Sequence, residues 1–161
     1  MSDVEILATG PAFVKEGVRA IEPVVEGMIQ NAGQEIQIVA FTLTEGARRL
    51  IGLLEEAAKK ERKITVIVNR LSLKTSTIQG SLSKLAKNYP NTAIIDFTDP
   101  QDFDLHAKIV VVDRDTAVVG SANFSWSGMY GNYEIGVMLR GQRVWKIADI
   151  VDILAGMGKK L

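Results

Sequence analysis

"EIQIVAFTLTEGARRLIGLLEEAAKKERKITVIV", residues 35–68, reads as strand, turn, amphipathic helix and strand. Residues 35–41 alternate and then turn wholly apolar, which suits a central strand. Thr44 is a good helix N-cap, and apolar residues at 47, 50, 51, 54 and 58 follow at helical spacing. The run KITVIV (63–68) returns to strand. Two strands joined through a helix predict a parallel pair with a crossover.

The same alternation extends outward. TSTIQGSLSKLAKNY (75–89) reads as a helix stopped by Pro90, and TAIIDF (92–97) as the next strand. Upstream, Phe13, Val14, Val18, Ile21, Val25, Met28 and Ile29 carry helical periodicity over 12–32, with Pro23 marking a kink or a fresh helix start. After Pro100 come three closely spaced strand-like runs, HAKIVVVD (106–113), TAVVGSA (116–122) and NYEIGVML (132–139), the first two joined by a hairpin turn at Arg114-Asp115. Val144, Ile147, Ala148, Val151 and Ala155 then share one helical face over 141–158. The expected fold is α/β: a mixed β-sheet flanked by helices on both faces, parallel in its first half and antiparallel in its second. Residues 1–161 are expected to form one domain, without repeat or linker.

Composition narrows the function classes. Lys and Arg balance Asp and Glu at 19 each, so attraction to a polyanion has to come from a local patch. With no cysteine, thiolate metal sites and cysteine nucleophiles are excluded. No apolar run is long enough for a membrane span, and MSDVEILATGP has neither the basic nor the apolar region of a signal peptide, so the expectation is a cytoplasmic protein without stable membrane insertion.

The chemistry concentrates in "DLHAKIVVVDRDTAVVGSANFSWSG", residues 104–128, which holds the only histidine, His106. In an extended chain residues i and i+2 face the same side, so His106 and Lys108 project together and place a nucleophile beside a fixed cation. Ser121 and Asn123 form a second such pair, directly after Gly120, which allows a backbone or a ligand to come close. Asp113 has the opposite parity and sits just before the turn, which suits a structural role in the hairpin. Glu134, on a neighbouring strand, is the expected carboxylate partner that orients His106.

The set His106-x-Lys108, Asp113 and Gly120-Ser121-x-Asn123, with Glu134 downstream, resembles the signature motif of the phospholipase D superfamily. The resemblance implies a phospholipase D-like single-motif domain in which His106, Lys108, Asn123, Glu134, Asp113 and Ser121 make up the catalytic set. It also implies attack by His106 on a phosphodiester phosphorus, giving a phosphohistidine, with Lys108 and Asn123 holding the non-bridging oxygens and no metal or cofactor required. Family members protonate the leaving group with a second histidine, which this chain lacks. Two chains are therefore expected to form a homodimer with a shared active site.

Single-motif members look like bacterial nucleases, so the expected activity is that of a metal-independent endonuclease acting on nucleic acid, within a restriction or defence system and its associated subunits. The other readings are a lipid phosphodiesterase and a phosphate-binding assembly module with little turnover. Gly120, Arg70 and Lys74 are candidate substrate-binding residues, the last two because they lie past the C-terminal end of a strand in a basic stretch (59–74). Trp126 and Tyr130 admit two readings, packing or stacking on a base. Asp96, Asp99, Asp102 and Asp104 do not have calcium-loop spacing and read as an acidic surface loop.

Overall fold

The computed structural model describes residues 3–161. Eight strands form one sheet: β1 (Asp3–Thr9), β2 (Glu35–Ala40), β3 (Lys63–Asn69), β4 (Thr92–Phe97), β5 (Ile109–Val112), β6 (Thr116–Gly120), β7 (Glu134–Arg140) and β8 (Lys159–Lys160). Their spatial order is β1-β7-β6-β5-β2-β3-β4-β8. The predicted crossover gives β2, β3 and β4 a parallel register, while β5, β6 and β7 form an antiparallel meander that joins the parallel block through β2. The mixed sheet flanked by helices on both faces is therefore the one expected.

Side-chain parity decides which face each helix covers. Ile36, Ile38 and Ala40 of β2 share a core with Ile64, Val66 and Val68 of β3. Onto that face pack α1 (Ile21–Gln30), α2 (Arg48–Lys59) and α3 (Ser76–Asn88). Val39, Ile67 and Ile95 point the other way, onto α4 (Val144–Met157). Because β2 and β3 are covered on both faces, their sequences are continuous apolar runs rather than alternating ones.

α4 does not reach the β1–β7 edge. There Val4, Ile6 and Ile135 lie exposed on the face that α4 covers elsewhere, and Ile150, Ile153 and Met157 of α4 itself are exposed too.

Three local readings are corrected. The helical pattern over 12–32 splits into a 3₁₀ turn at Pro11–Glu16 and α1, since Gly17 takes a left-handed conformation (φ 69°) and the Arg19 carbonyl accepts from Ala8 N–H (3.0 Å). None of the residues in the 3₁₀ turn is buried. The strand expected from residue 106 is regular only from Ile109, with residues 102–108 outside regular structure. β1 and β8 lie at the two sheet edges in segments not read as strands.

Candidate active site

The C-terminal ends of β2 and β6 and the N-terminal ends of β5 and β7 meet at one end of the sheet. Lys108 enters β5 there, its carbonyl accepting from Gly120 N–H (3.3 Å). Its side chain is buried, and Nζ donates to His106 Nδ1 (2.9 Å) and to the His106 carbonyl (2.7 Å). The i, i+2 geometry therefore does bring the imidazole and the ammonium together. Burial pushes the Lys108 pKa below the usual lysine range, against the opposing pull of Glu134.

An ammonium has no lone pair, so Nδ1 is the acceptor in this contact. His106 itself is exposed. Its ring packs on Phe41, just past β2, with centroids 4.2 Å apart and planes at 46°.

The segment carrying His106 has little sheet pairing and is held by side chains instead. Asn69, buried at the end of β3, accepts from Leu105 N–H (3.0 Å) and donates to Asp104 Oδ1 (3.0 Å). Arg70 completes the clamp through Asp104 (3.0 Å) and Asp102 (2.6 Å). Phe41 and Asn69 were both missed from sequence. The available signal was a polar residue closing an otherwise apolar strand at the carboxyl end of a parallel pair, the edge where α/β sites gather.

Asn123 follows β6 in a loop stitched to the loop after β2: Thr44 N–H donates to the Phe124 carbonyl and Phe124 N–H to the Thr42 carbonyl, each at 3.1 Å. Behind it, a Cβ on Gly128 would lie 2.7 Å from Asn123 N, so only glycine lets the two segments touch. Asn123 Oδ1 is buried without a hydrogen-bond partner. An unpaired buried amide oxygen is costly, which marks this side chain as held for a role other than packing. Ser121 Oγ donates to Glu134 Oε2, and Asn132 Nδ2 donates to Glu134 Oε1 (3.1 Å).

Four expectations are corrected by these contacts. Within the chain Glu134, buried, is bonded to Ser121 and Asn132 and makes no hydrogen bond to His106. Gly120 serves a backbone and not a ligand, because a Cβ there would lie 2.7 Å from the Ile135 carbonyl oxygen and 2.8 Å from Gly136 Cα. Arg70 is consumed by its two aspartates. Asp113 does not join the site at all: it lies at the other end of β5, about 16 Å away along an extended chain.

There Asp113 accepts from the backbone N–H groups of Gly33 (2.7 Å), Gln34 (2.7 Å) and Glu35 (2.9 Å), fastening the hairpin to the start of β2. Burial raises its pKa, but the three N–H donors outweigh burial and hold the carboxyl below its usual range. A depressed carboxyl pKa stabilises the fold above the unfolded value of about 3.9, and that stability is lost as pH falls through the folded value. Asp113→Ala is expected to cost about 2–3 kcal/mol at pH 7, a gap that closes below about pH 4, as read by urea denaturation. Equal stability of variant and wild type at neutral pH would refute this assignment.

Lys74 does reach the site. Its Nζ donates to the Phe41 carbonyl (3.1 Å) and lies 5.7 Å from the Phe41 ring centroid, with Lys108 Nζ at 5.1 Å. Burial lowers its pKa as well. The loop aspartates are structural: Asp96 accepts from Leu71 N–H (2.7 Å) and Ser72 N–H (3.1 Å), and Asp99 from Gln101 N–H (2.7 Å). Among the described residues no three His, Cys, Asp or Glu side chains gather as metal ligands.

Fold and site together define an α/β domain with an imidazole–ammonium pair at the rim of its sheet. The family described as cardiolipin synthase, PLD-like domain, matches residues 25–152, and the chain belongs to that family within the phospholipase D superfamily. The DISARM protein DrmC of Bacillus paralicheniformis is 26% identical over 152 residues, covering 93% of this chain. The chain spans 62% of the length of that relative. Among solved structures it is similar to Nuc from Salmonella typhimurium, a phospholipase D family member (TM-score 0.80, 16% identity, 100% of this chain and 99% of the other), and to NucT from Helicobacter pylori (TM-score 0.78, 16% identity, 100% of both).

Proposed function

We propose that the chain is a cytoplasmic, metal-independent phosphodiesterase that cuts nucleic acid as a homodimer with one shared active site. The observation that carries the reading is the exposed His106 ring with Lys108 Nζ 2.9 Å from Nδ1. A site that only gripped phosphate would need cations and donors, not a solvent-facing nucleophile. Membership of the superfamily supports phosphodiester chemistry in general.

In the first step a His106 nitrogen attacks phosphorus, forming the P–N bond as the P–O bond to the leaving group breaks. Lys108 and Asn123 hold the non-bridging oxygens, and Lys74 is placed to take a neighbouring phosphate. Attack needs a ring nitrogen free of its proton, and exchange with solvent at the exposed ring supplies that tautomer. The second imidazole gives its proton to the leaving alkoxide, then removes one from the water that breaks the P–N bond.

These residues hold one histidine, so a second copy of the chain would supply the second ring. The apolar surface of β1, β7 and α4 left uncovered in a single chain supports such pairing. The DISARM relative supports work within a defence system, alongside associated subunits.

The lipid reading keeps the same chemistry, and the family description speaks for it. No helix among the described residues is long and apolar enough to cross a membrane. Incubating the purified protein in excess EDTA with single-stranded DNA, with plasmid, and with phosphatidylcholine vesicles decides between them. Cleavage of DNA with intact vesicles is the expected result; vesicle turnover with intact DNA overturns the substrate assignment.

A further inference from the structure

The chain has two Trp, three Tyr and five Phe. Of these, Phe103, Trp126, Tyr130, Tyr133 and Trp145 are exposed. All but Trp145 lie on the segments that deliver the site: Phe103 three residues before His106, Trp126 three after Asn123, and Tyr133 one before Glu134. Tyr133 packs edge-on against Phe13 (centroids 5.8 Å apart), whereas Trp126 and Tyr130 stand together.

Trp126 has the most fully built seat. A π-helical turn, Ser127–Gly131, follows it. That turn brings residues five apart onto one another, so the indole lies across Gly131, where a Cβ would be 2.6 Å from Cζ3. On the other side its backbone presses on Gly46, where a Cβ would lie 3.0 Å from Trp126 Cα. The ring is thus laid down on main chain with its outer side in solvent, 64% exposed. Tyr130 stands next to it, centroids 6.4 Å apart and planes at 40°, its hydroxyl donating to Glu22 Oε1 (2.9 Å). Arg48, two residues past Gly46, is exposed and makes no ion pair among the described residues.

We propose that Trp126, with Tyr130 beside it, is a stacking platform for an unpaired nucleobase adjacent to the phosphate held by His106, Lys108 and Asn123. The proposal rests on the nucleic-acid reading above and narrows it to strands with bases free to splay. A ring seated flat offers a π face to any base and loses little freedom on binding. Insertion into a bilayer interface would instead need rings that project. Paired bases keep their faces covered, so duplex gains nothing here.

The test uses His106→Ala protein, which binds without cutting, titrated with oligo(dT), with a duplex of equal length, and with phosphatidylglycerol vesicles, reading tryptophan emission. Oligo(dT) is expected to quench emission strongly and duplex weakly. His106→Ala/Trp126→Leu should lose the quench and bind oligo(dT) about tenfold more weakly, while Trp126→Phe recovers most of the affinity. In the His106-intact protein, Trp126→Leu should lower the ratio of kcat/KM on oligo(dT) to kcat/KM on bis(p-nitrophenyl) phosphate by a similar factor. Equal quenching by duplex, a ratio that does not move, or a vesicle-induced blue shift without oligonucleotide quenching overturns the platform. Because quenching needs no turnover, failure of the phosphodiesterase reading leaves it intact, whereas turnover of the small diester without quenching sinks the platform alone.

Discussion

His106→Ala is expected to lower phosphodiester turnover in excess EDTA by three or more orders of magnitude. The ring is the one imidazole in the chain, and it is exposed at the site rim with Lys108 Nζ 2.9 Å from Nδ1. In a shared site the substitution removes nucleophile and general acid together, and residues that act as a unit do not lose activity additively. Mixing gives a sharper reading. When variant and wild-type chains exchange freely at equal amounts, only about a quarter of dimers keep both rings, so activity should fall to about a quarter and not to half. Metal-dependent turnover that survives the substitution would falsify the nucleophile assignment, and half activity in the mixture would show that each chain works alone.

Lys108→Met should reduce kcat/KM by about two to three orders of magnitude while the protein stays folded. The methionine keeps an apolar stem in a pocket the lysine already fills, and removes only the charge that faces the phosphate. Arginine is not a conservative replacement, because its planar fork does not fit a buried niche shaped for one ammonium. Since burial places the Lys108 pKa below the usual lysine range, wild-type activity should decline on the alkaline side before an ordinary lysine titrates, near pH 10.4. That limb should be missing from the residual activity of Lys108→Met. A limb that persists in the variant would assign it to another group.

Much of this was legible in sequence because the relevant forces are local. Apolar runs covered on both faces and a helix between them dictate the parallel block, and side-chain alternation correctly paired His106 with Lys108 and turned Asp113 away. The edge strands were not legible. β1 pairs through backbone with β7 and leaves Val4 and Ile6 exposed, so its pattern lacks a buried stripe. β8 is two residues long, too short to carry any period. Phe41, Asn69 and the Glu134–Ser121 contact were hidden for a different reason. Each depends on which loops meet at the end of the sheet, a property of topology that no single segment encodes. Arg70 misled because charge alone does not show whether a partner lies across the loop.

Asp113 and His106 stand at opposite tips of one short strand, and the contacts described above make those tips unlike. One tip is tied into neighbouring main chain through a carboxylate; the other carries His106 on an arm braced by Asn69 and Arg70. Mechanical cohesion and the proposed chemistry are thereby allotted to different ends of the molecule. Loops at the His106 tip can therefore change length or sequence while the anchored tip keeps the strands in register.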